Sequence, residues 1–388
     1  MERLVAKYAR KVLERGLASP GDVVVGGLDD VAAWSADHTV TRDLERVFAG
    51  LNVNSLLWAR PASPYAAVIA YLAARSDGAI RPEDSETRTF LHDLPVADGD
   101  DPGTVVSVLR RRKSAILPGP AVVTFGTVSP EQAFVTFCSV LFAACVKLLA
   151  DALAAARRGD LDGGLRRLAE ALLAGLPGTP SAPRVEGTVP PADEAAVHRQ
   201  LAAAGRALVE HALVDSFFGN VSFLHDGVLH ISRGGAALDE LEGRIDPCPL
   251  DGSRSVGLTA SSELATHLRV VAAGGIAAVL HGHPRFAVAL SLDCPEEDCA
   301  GRGSCHLRCE RERSIVGVPV VPGEVGTGRH GLVNTVPAAL ARGGGAAVVH
   351  GHGVFTTGKR GFDEALARMF DIERACRAEF ARRIGLGP

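Results

Sequence analysis

The 388-residue sequence has no basic surplus: 41 Lys and Arg stand against 45 Asp and Glu, a formal net charge of −4. Nucleic-acid-binding domains usually carry a basic excess, so that class is set aside. The chain opens without an apolar signal core, since "MERLVAKYARKVLERG" reads as an amphipathic helix. Nor is there an unbroken apolar run of bilayer length. Lys147 and Asp151 interrupt "FVTFCSVLFAACVKLLADAL", which is expected to be a buried helix. A cytoplasmic protein without membrane or nucleic-acid partners is the expectation. A framework of long-range disulfides is also not expected. Of the eight cysteines, Cys294, Cys299, Cys305 and Cys309 crowd one stretch, apart from Cys138, Cys145, Cys248 and Cys376. In a chain with no secretion signal, such a cluster more often binds metal or is redox-active.

What is present is a globular composition, 47% hydrophobic and 22% charged, with length enough for two domains. A Pro- and Gly-rich stretch, "GLPGTPSAPRVEGTVPPADE", follows helical patterns over 131–156 and 161–174 and precedes a helix opened by Asp193 and Glu194. It divides the chain into 1–180, a linker 181–194, and 195–388. The halves resemble each other. Arg10, Glu14 and Leu17 fall opposite Arg206, Glu210 and Leu213, and Gly21-Asp22-Val23 falls opposite Gly219-Asn220-Val221. "LLWARPASPYAAVIAY" runs beside "VLHGHPRFAVALSL", and "PAVVTFGTVSP" beside "AAVVHGHGVFT". Matches in the same order read as a tandem duplication.

The chemistry gathers in the second half. The apolar strand pattern "AAVL" ends in His281 and His283, alternate residues that a strand sends to one side. Upstream, "LTASSELATHLRVVAAGG" reads as a helix capped by Ser261 or Ser262, with Glu263 in its first turn. Downstream, another buried strand ends in His350 and His352, followed by Gly353. Several imidazoles and one carboxylate at the ends of consecutive elements suit a divalent metal with an open coordination position. The competing reading is that polar residues simply close buried strands; the second histidine pair and the Ser-Ser-Glu helix tilt the balance to a site.

Five stretches together, "GNVSF" (219–223), "ISRGGAALDEL" (231–241), "ASSE" (260–263), "HGHP" (281–284) and "GHG" (351–353), resemble the class II aldolase/adducin family. That family includes sugar-phosphate aldolases, a ribulose-phosphate epimerase and a methylthioribulose-phosphate dehydratase. The resemblance covers about residues 195–385 and, through the duplication, weakly 1–155. It implies an α/β fold, a three-layer α/β/α sandwich with a mainly antiparallel central sheet, here present twice. It implies a metal held by His281, His283 and His352, zinc by preference, with manganese, iron or cobalt accepting the same ligands. Glu263 matches the acid/base. Asn220, Gly235, Ser261 and Ser262 match positions that hold a substrate phosphate, with Arg233 beside them and His350 as an outer histidine. The implied chemistry is that of a lyase or isomerase. It would act on a small hydroxy-carbonyl, sugar-phosphate-like substrate through a metal-stabilised enediolate, in a homo-oligomer. Two duplicated chains would form a pseudo-fourfold dimer. The rivals are an adducin-like binding module without catalysis and a metal- or redox-sensing protein built on the cysteines.

Three departures from the family pattern stand out. Residues 156–388 contain no tyrosine, the three in the chain being Tyr8, Tyr65 and Tyr71. The proton-donor role that aldolases and epimerases of the family give to tyrosine is therefore open, unless Tyr65 or Tyr71 supplies it. The insertion 293–310 spaces its cysteines Cys-x4-Cys-x5-Cys-x3-Cys, which suits a second zinc or an iron–sulfur cluster, with His306 as a substitute ligand. Finally, the first half places Val40, Trp58, Arg60 and Gly126 opposite Glu263, His281, His283 and His352. It is expected to be a metal-free copy that serves as scaffold or lends Arg60 or Tyr65 to a neighbouring site.

Overall fold

The computed structural model describes residues 1–386 apart from 179, 215–218, 254–258, 297 and 324–327. It divides into two compact units. The first comprises Met1–Asp151 and Asp162–Gly175, the second Ala152–Leu161 and Leu176–Pro388. The last turns of a long helix therefore count with the second unit, as does the stretch from 176 up to the helix at 194.

In the first unit the order is α1 (Glu2–Glu14), β1 (Ala18–Leu28), β2 (Ala32–Trp34), α2 (Thr41–Ala49), β3 (Ser55–Pro61) and α3 (Tyr65–Ala73). Then come β4 (Ala79–Ile80), α4 (Ser85–Phe90), β5 (Leu94–Pro95), α5 (Pro102–Leu109), β6 (Ser114–Ile116), β7 (Val122–Gly126), α6 (Pro130–Arg158) and α7 (Gly163–Gly175). The main sheet runs β2-β1-β3-β7-β6, antiparallel throughout. Helix α1 forms because Val5, Tyr8 and Val12 recur at helical spacing and share one buried face. Helix α6 is long and apolar enough to cross a membrane by length and composition, yet its apolar window is mostly buried inside the protein.

The second unit follows with α8 (Glu194–Glu210), β8 (Asn220–His225), β9 (Val228–Ser232), β10 (Ile245–Pro249), α9 (Leu264–Ala272), β11 (Ala278–Gly282) and α10 (Arg285–Leu292). It ends with β12 (Arg313–Ile315), β13 (Val318–Val321), α11 (Leu332–Arg342), β14 (Ala346–Val349), β15 (Gly353–Gly358) and α12 (Phe362–Arg383). Its sheet runs β10-β9-β8-β11-β15-β14-β13-β12, and only the β13–β14 pair is parallel. Helices α9 and α11 cover one face, where Val270, Val271, Val336 and Leu340 meet Val279, Phe355 and Val349. Helix α12 covers the other, with Met369 against Gly282. Strand β11 lies at the centre and is buried along its whole length. The side-to-side alternation of a strand then decides direction: His281 shares the α9/α11 face with Val279 and stacks on Phe355 at 4.2 Å.

Two helices of this unit have explicit side-chain caps. Asp193 opens α8 by accepting from the Ala196 amide at 2.7 Å. Helix α10 has no side-chain cap of its own. Glu373 of α12 supplies one, accepting the Phe286 and Ala287 amides at 3.0 Å each. Burial pushes the Glu373 carboxyl up to about 7, against the pull of those two amides.

The two units share an order of elements. Strands β2-β1-β3-β7-β6 follow the sequence positions and pairing senses of β9-β8-β11-β15-β14. A buried bond fixes the register: Thr124 Oγ1 donates to the Ala133 carbonyl at 2.8 Å, and Thr356 Oγ1 to that of Ala365, also at 2.8 Å. Gly126 thus corresponds to Gly358 and not, as expected, to His352, whose place falls on Pro120. The mismatch arises because "AVV" at 121–123 enters β7 whereas "AVV" at 347–349 belongs to β14; apolar strands look alike in sequence. By the same register Trp58, opposite Val123 and Val24, stands where His281 stands opposite Phe355 and Asn220. Val24, rather than Asp22, therefore takes the place of Asn220. Val40 precedes a nine-residue α2 as Glu263 precedes a nine-residue α9.

Two outcomes test this description. A Cβ at Gly205, inside α8, would lie 2.3 Å from the Leu238 carbonyl oxygen. Gly205→Ala should therefore cost roughly 1–3 kcal/mol of stability, read as a lower thermal midpoint, although helix propensity alone would favour it by about 1 kcal/mol. Glu373 holds its proton more firmly folded than unfolded, so its contribution falls as pH rises from about 4.5 to about 7. Thermal midpoints should show wild type losing stability across that window relative to Glu373→Gln, by no more than about 3 kcal/mol.

Candidate metal centre and active site

Strand β11 delivers His281, and the two residues after it turn the chain into α10 with His283 at the bend. The turn between β14 and β15 supplies His352. One ligand nitrogen from each of the three lies within 4.8 Å of the other two, and all three residues are buried. His281 and His283 face each other Nε2 to Nε2 at 3.0 Å. His281 Nδ1 donates to the Val354 carbonyl at 3.2 Å, which leaves a lone pair on its Nε2. Burial first, then the neighbouring His281 and His352, holds His283 well below the usual imidazole range, so it stays neutral and able to ligate. The glycine after His352 has a steric cause. A Cβ at Gly353 would lie 2.5 Å from His283 Cδ2 and 2.9 Å from His281 Cε1.

Glu263 completes the group, with Oε2 3.6 Å from His281 Nε2 and Oε1 3.7 Å from His352 Nε2. The helix was expected to be capped by Ser261 or Ser262. Instead α9 starts at Leu264 with Glu263 at the cap position, and Ser261 Oγ accepts the Glu263 amide at 3.3 Å. A residue at the cap lies outside the regular ladder, which frees its side chain to turn toward the histidines. Asn220 Nδ2 donates to Glu263 Oε2 at 2.8 Å, from a strand position directly opposite His281. Asn220 was expected to bind phosphate; here it is buried and orients the carboxylate. Gly219 before it needs to be glycine, because φ is +104° and a Cβ would meet the His281 carbonyl at 2.7 Å.

The remaining expected residues gather on one side. The backbone of Arg233 bridges that of Ala260, and the Gly234 amide bonds the Thr259 carbonyl. This brings Gly235 and Ser261 to adjoining segments, with Ser262 exposed beside them. Sequence reasoning missed the residue that holds these segments, Asp246. Its buried carboxylate accepts Arg233 Nε at 2.7 Å and Thr259 Oγ1 at 2.5 Å. No local pattern marks it, since Arg233 and Thr259 are both 13 residues away. His267 was also missed, although its place four residues after Glu263 on one helix face was legible. It is fully buried, 2.7 Å from Ser222 Oγ through Nδ1, with no partner at Nε2 among the described residues, and burial pushes it down to about 4.

His350 lies outside the group of three. Its Nδ1 accepts from Arg313 Nη1 at 3.0 Å, and burial together with that guanidinium brings it down to about 4. In the first unit Tyr65 is buried in α3, and Tyr71 donates to Asp162 Oδ2 at 3.3 Å. Trp58, Val24 and Val123 fill the equivalent of the histidine pocket with apolar core. His306 lies in the cysteine loop, where its carbonyl accepts the Gly323 amide. Removing the carboxylate in Asp246→Ala strands Arg233 and Thr259. Because Arg233 is half exposed, the loss should be roughly 1–2 kcal/mol, read as a lower thermal midpoint.

The sequence profile of the Class II Aldolase and Adducin N-terminal domain matches residues 199–380. The chain is 30% identical over 196 residues to a methylthioribulose-1-phosphate dehydratase of Gluconobacter oxydans, covering 47% of this chain and 91% of that protein. Among solved structures it is similar to an L-fuculose-1-phosphate aldolase from Thermus thermophilus (25% identity, 48% of this chain and 96% of that one, TM-score 0.37). A sugar-phosphate aldolase from Thermotoga maritima is similar at 18% identity, covering 50% of this chain and 97% of that one, with a TM-score of 0.36. On the profile match and the extent of the dehydratase match, the chain belongs to the class II aldolase and adducin family.

Proposed function

We propose that the chain is a divalent-metal-dependent lyase acting on a small phosphorylated hydroxy-carbonyl compound, with dehydration favoured over aldol cleavage or epimerisation. The observation that carries the reading is the convergence of three buried imidazoles with one carboxylate. That donor set fits a divalent ion. The three nitrogens are within ligand distance, and His281 is oriented through its far nitrogen. Zinc is the preferred occupant, with manganese, iron or cobalt as substitutes. When bound it supplies Lewis acidity to the hydroxy-carbonyl group.

The protein's own groups do the rest. Glu263, steadied through Oε2 by Asn220, takes the proton from the carbon beside the carbonyl and returns one to the departing oxygen. Ser261, Ser262 and the Gly235 amide bind the phosphate end, with the outer nitrogens of Arg233 adding charge while Asp246 holds its Nε. Dehydration is favoured because residues 156–388 hold no tyrosine to protonate a departing carbon fragment, and because the dehydratase relative is matched over nearly its whole length. An adducin-like binding module would have no use for this ligand set.

The first unit is read as the product of a tandem duplication that has lost the chemistry. Val40, Trp58, Arg60 and Pro120 take the places of Glu263, His281, His283 and His352. It then acts as scaffold in a cytoplasmic homo-oligomer, a dimer of two-unit chains with pseudo-fourfold arrangement. Sedimentation should give twice 40.4 kDa.

Metal analysis of anaerobically purified protein, wild type beside a His281→Ala/His283→Ala double variant, tests the main reading with methylthioribulose 1-phosphate and fuculose 1-phosphate as substrates. The variant should lose one divalent ion per chain and more than ~100-fold in turnover, beyond what loss of outer-layer support produces. Unchanged metal content and turnover would sink the reading.

A further inference from the structure

The cysteine loop has no part in that chemistry, yet it is built as a site. Cys294, Cys299, Cys305 and Cys309 all line one cavity of about 680 Å³. None is in a disulfide, and none is fully buried. Burial raises the Cys305 thiol first, and the charges of Cys309, Cys294 and Cys299 raise it further, so all three lie within electrostatic reach of it. Their present contacts are weak ones to backbone: Cys305 Sγ is 3.8 Å from the Gly301 carbonyl and Cys309 Sγ 3.6 Å from that of Arg311.

The rest of the wall is cationic. Arg157, Arg302, Arg311, Arg313, Arg382 and Arg383 line it against the carboxylates of Asp293, Glu296 and Glu312, and Glu379 behind the wall pairs with Arg382 and Arg383, which leaves six minus four, or two positive charges. Neutral thiols have no need of that surplus, whereas thiolates do. The floor is rigid. Arg313 Nη2 donates to the carbonyls of Ser291 and Asp293 at 2.8 and 3.0 Å, and Arg383 Nη1 to Asp293 Oδ2 at 2.8 Å.

The spacing of the sulfurs selects the type of centre. Among the described residues, the groups of three with ligand atoms within 4.8 Å are His281/His283/His352 and Glu194/His198/His230, and no three of these cysteines form one. A tetrahedral zinc with Zn–S of about 2.3 Å draws its sulfurs to about 3.8 Å from one another. An iron–sulfur cluster joins its thiolates through several irons and inorganic sulfides and accepts a wider spread.

We propose that Cys294, Cys299, Cys305 and Cys309 ligate an iron–sulfur cluster of the [4Fe–4S] type, a second centre separate from the three histidines. Assembly takes up two ferrous ions, two ferric ions and four sulfide ions, replaces four S–H bonds by four Fe–S bonds and releases four protons to solvent. Neither the cysteine sulfurs nor the irons then change oxidation state.

The full chain, purified without oxygen and reconstituted with ferrous and ferric iron in equal amounts and sulfide, provides the test. Iron, acid-labile sulfide and zinc are counted per chain, and visible absorption is recorded. About four irons and four sulfides are expected, retained in the His281→Ala/His283→Ala variant and lost in Cys305→Ser. Circular dichroism checks that Cys305→Ser still folds, and the wild-type count decides by itself if it does not. A sulfide-free zinc at the cysteines, or no metal beyond the histidine site, overturns the proposal.

Discussion

The second unit depends on one constraint: a carboxylate and three imidazoles must share the buried end of a central strand. Removing such groups from water costs several kcal/mol each unless they are partnered. The fold meets this by surrounding them with fixed donors and acceptors. Asn220 donates to Glu263, Val354 accepts from His281, and Ser222 meets His267 one helical turn from Glu263. All of these come from strands next to β11 or from the helix over it. The sheet order that packs the core is therefore also what assembles the site.

The first unit shows what the same order of elements becomes without that constraint. At the place of His281 stands Trp58, buried among Val24, Leu56 and Val123. His38 approaches its ring at 5.0 Å and Arg60 lies over it at 5.3 Å. Apolar packing needs no partner for each atom, so the polar scaffold around the equivalent position is absent too. Val24 stands at the position of Asn220 and Val40 at that of Glu263. Ligands and the residues that orient them are absent together, as expected where each is costly to bury without the other.

Support for the histidines also comes from behind. Glu373 of α12 caps α10, whose first residue is two positions beyond His283. Ser291 Oγ accepts the Gly351 amide at 2.8 Å and so ties the end of α10 to the turn that carries His352. Arg313 joins the same turn, through His350, to the carbonyls at the base of the cysteine loop. Two of the three imidazoles are thus steadied by elements that do not themselves reach the pocket.

The sequence by itself determined the helices α1, α6 and α7 within two residues, and the start of α8. It also determined that His281, His283, His352 and Glu263 would lie at element ends, because apolar runs stopping at polar residues leave little choice. Strand identity was less legible. "AVV" enters β7 in one unit and sits in β14 in the other, and the strand pairings together with the Thr124 and Thr356 bonds distinguish them. Tertiary structure alone decided that Asn220 serves the carboxylate, that Glu263 stands at the cap, and that Asp246 clamps Arg233 to Thr259. Those contacts join residues 13 to 43 positions apart, and a local pattern carries information about spacing along one element, not about which element lies across from it.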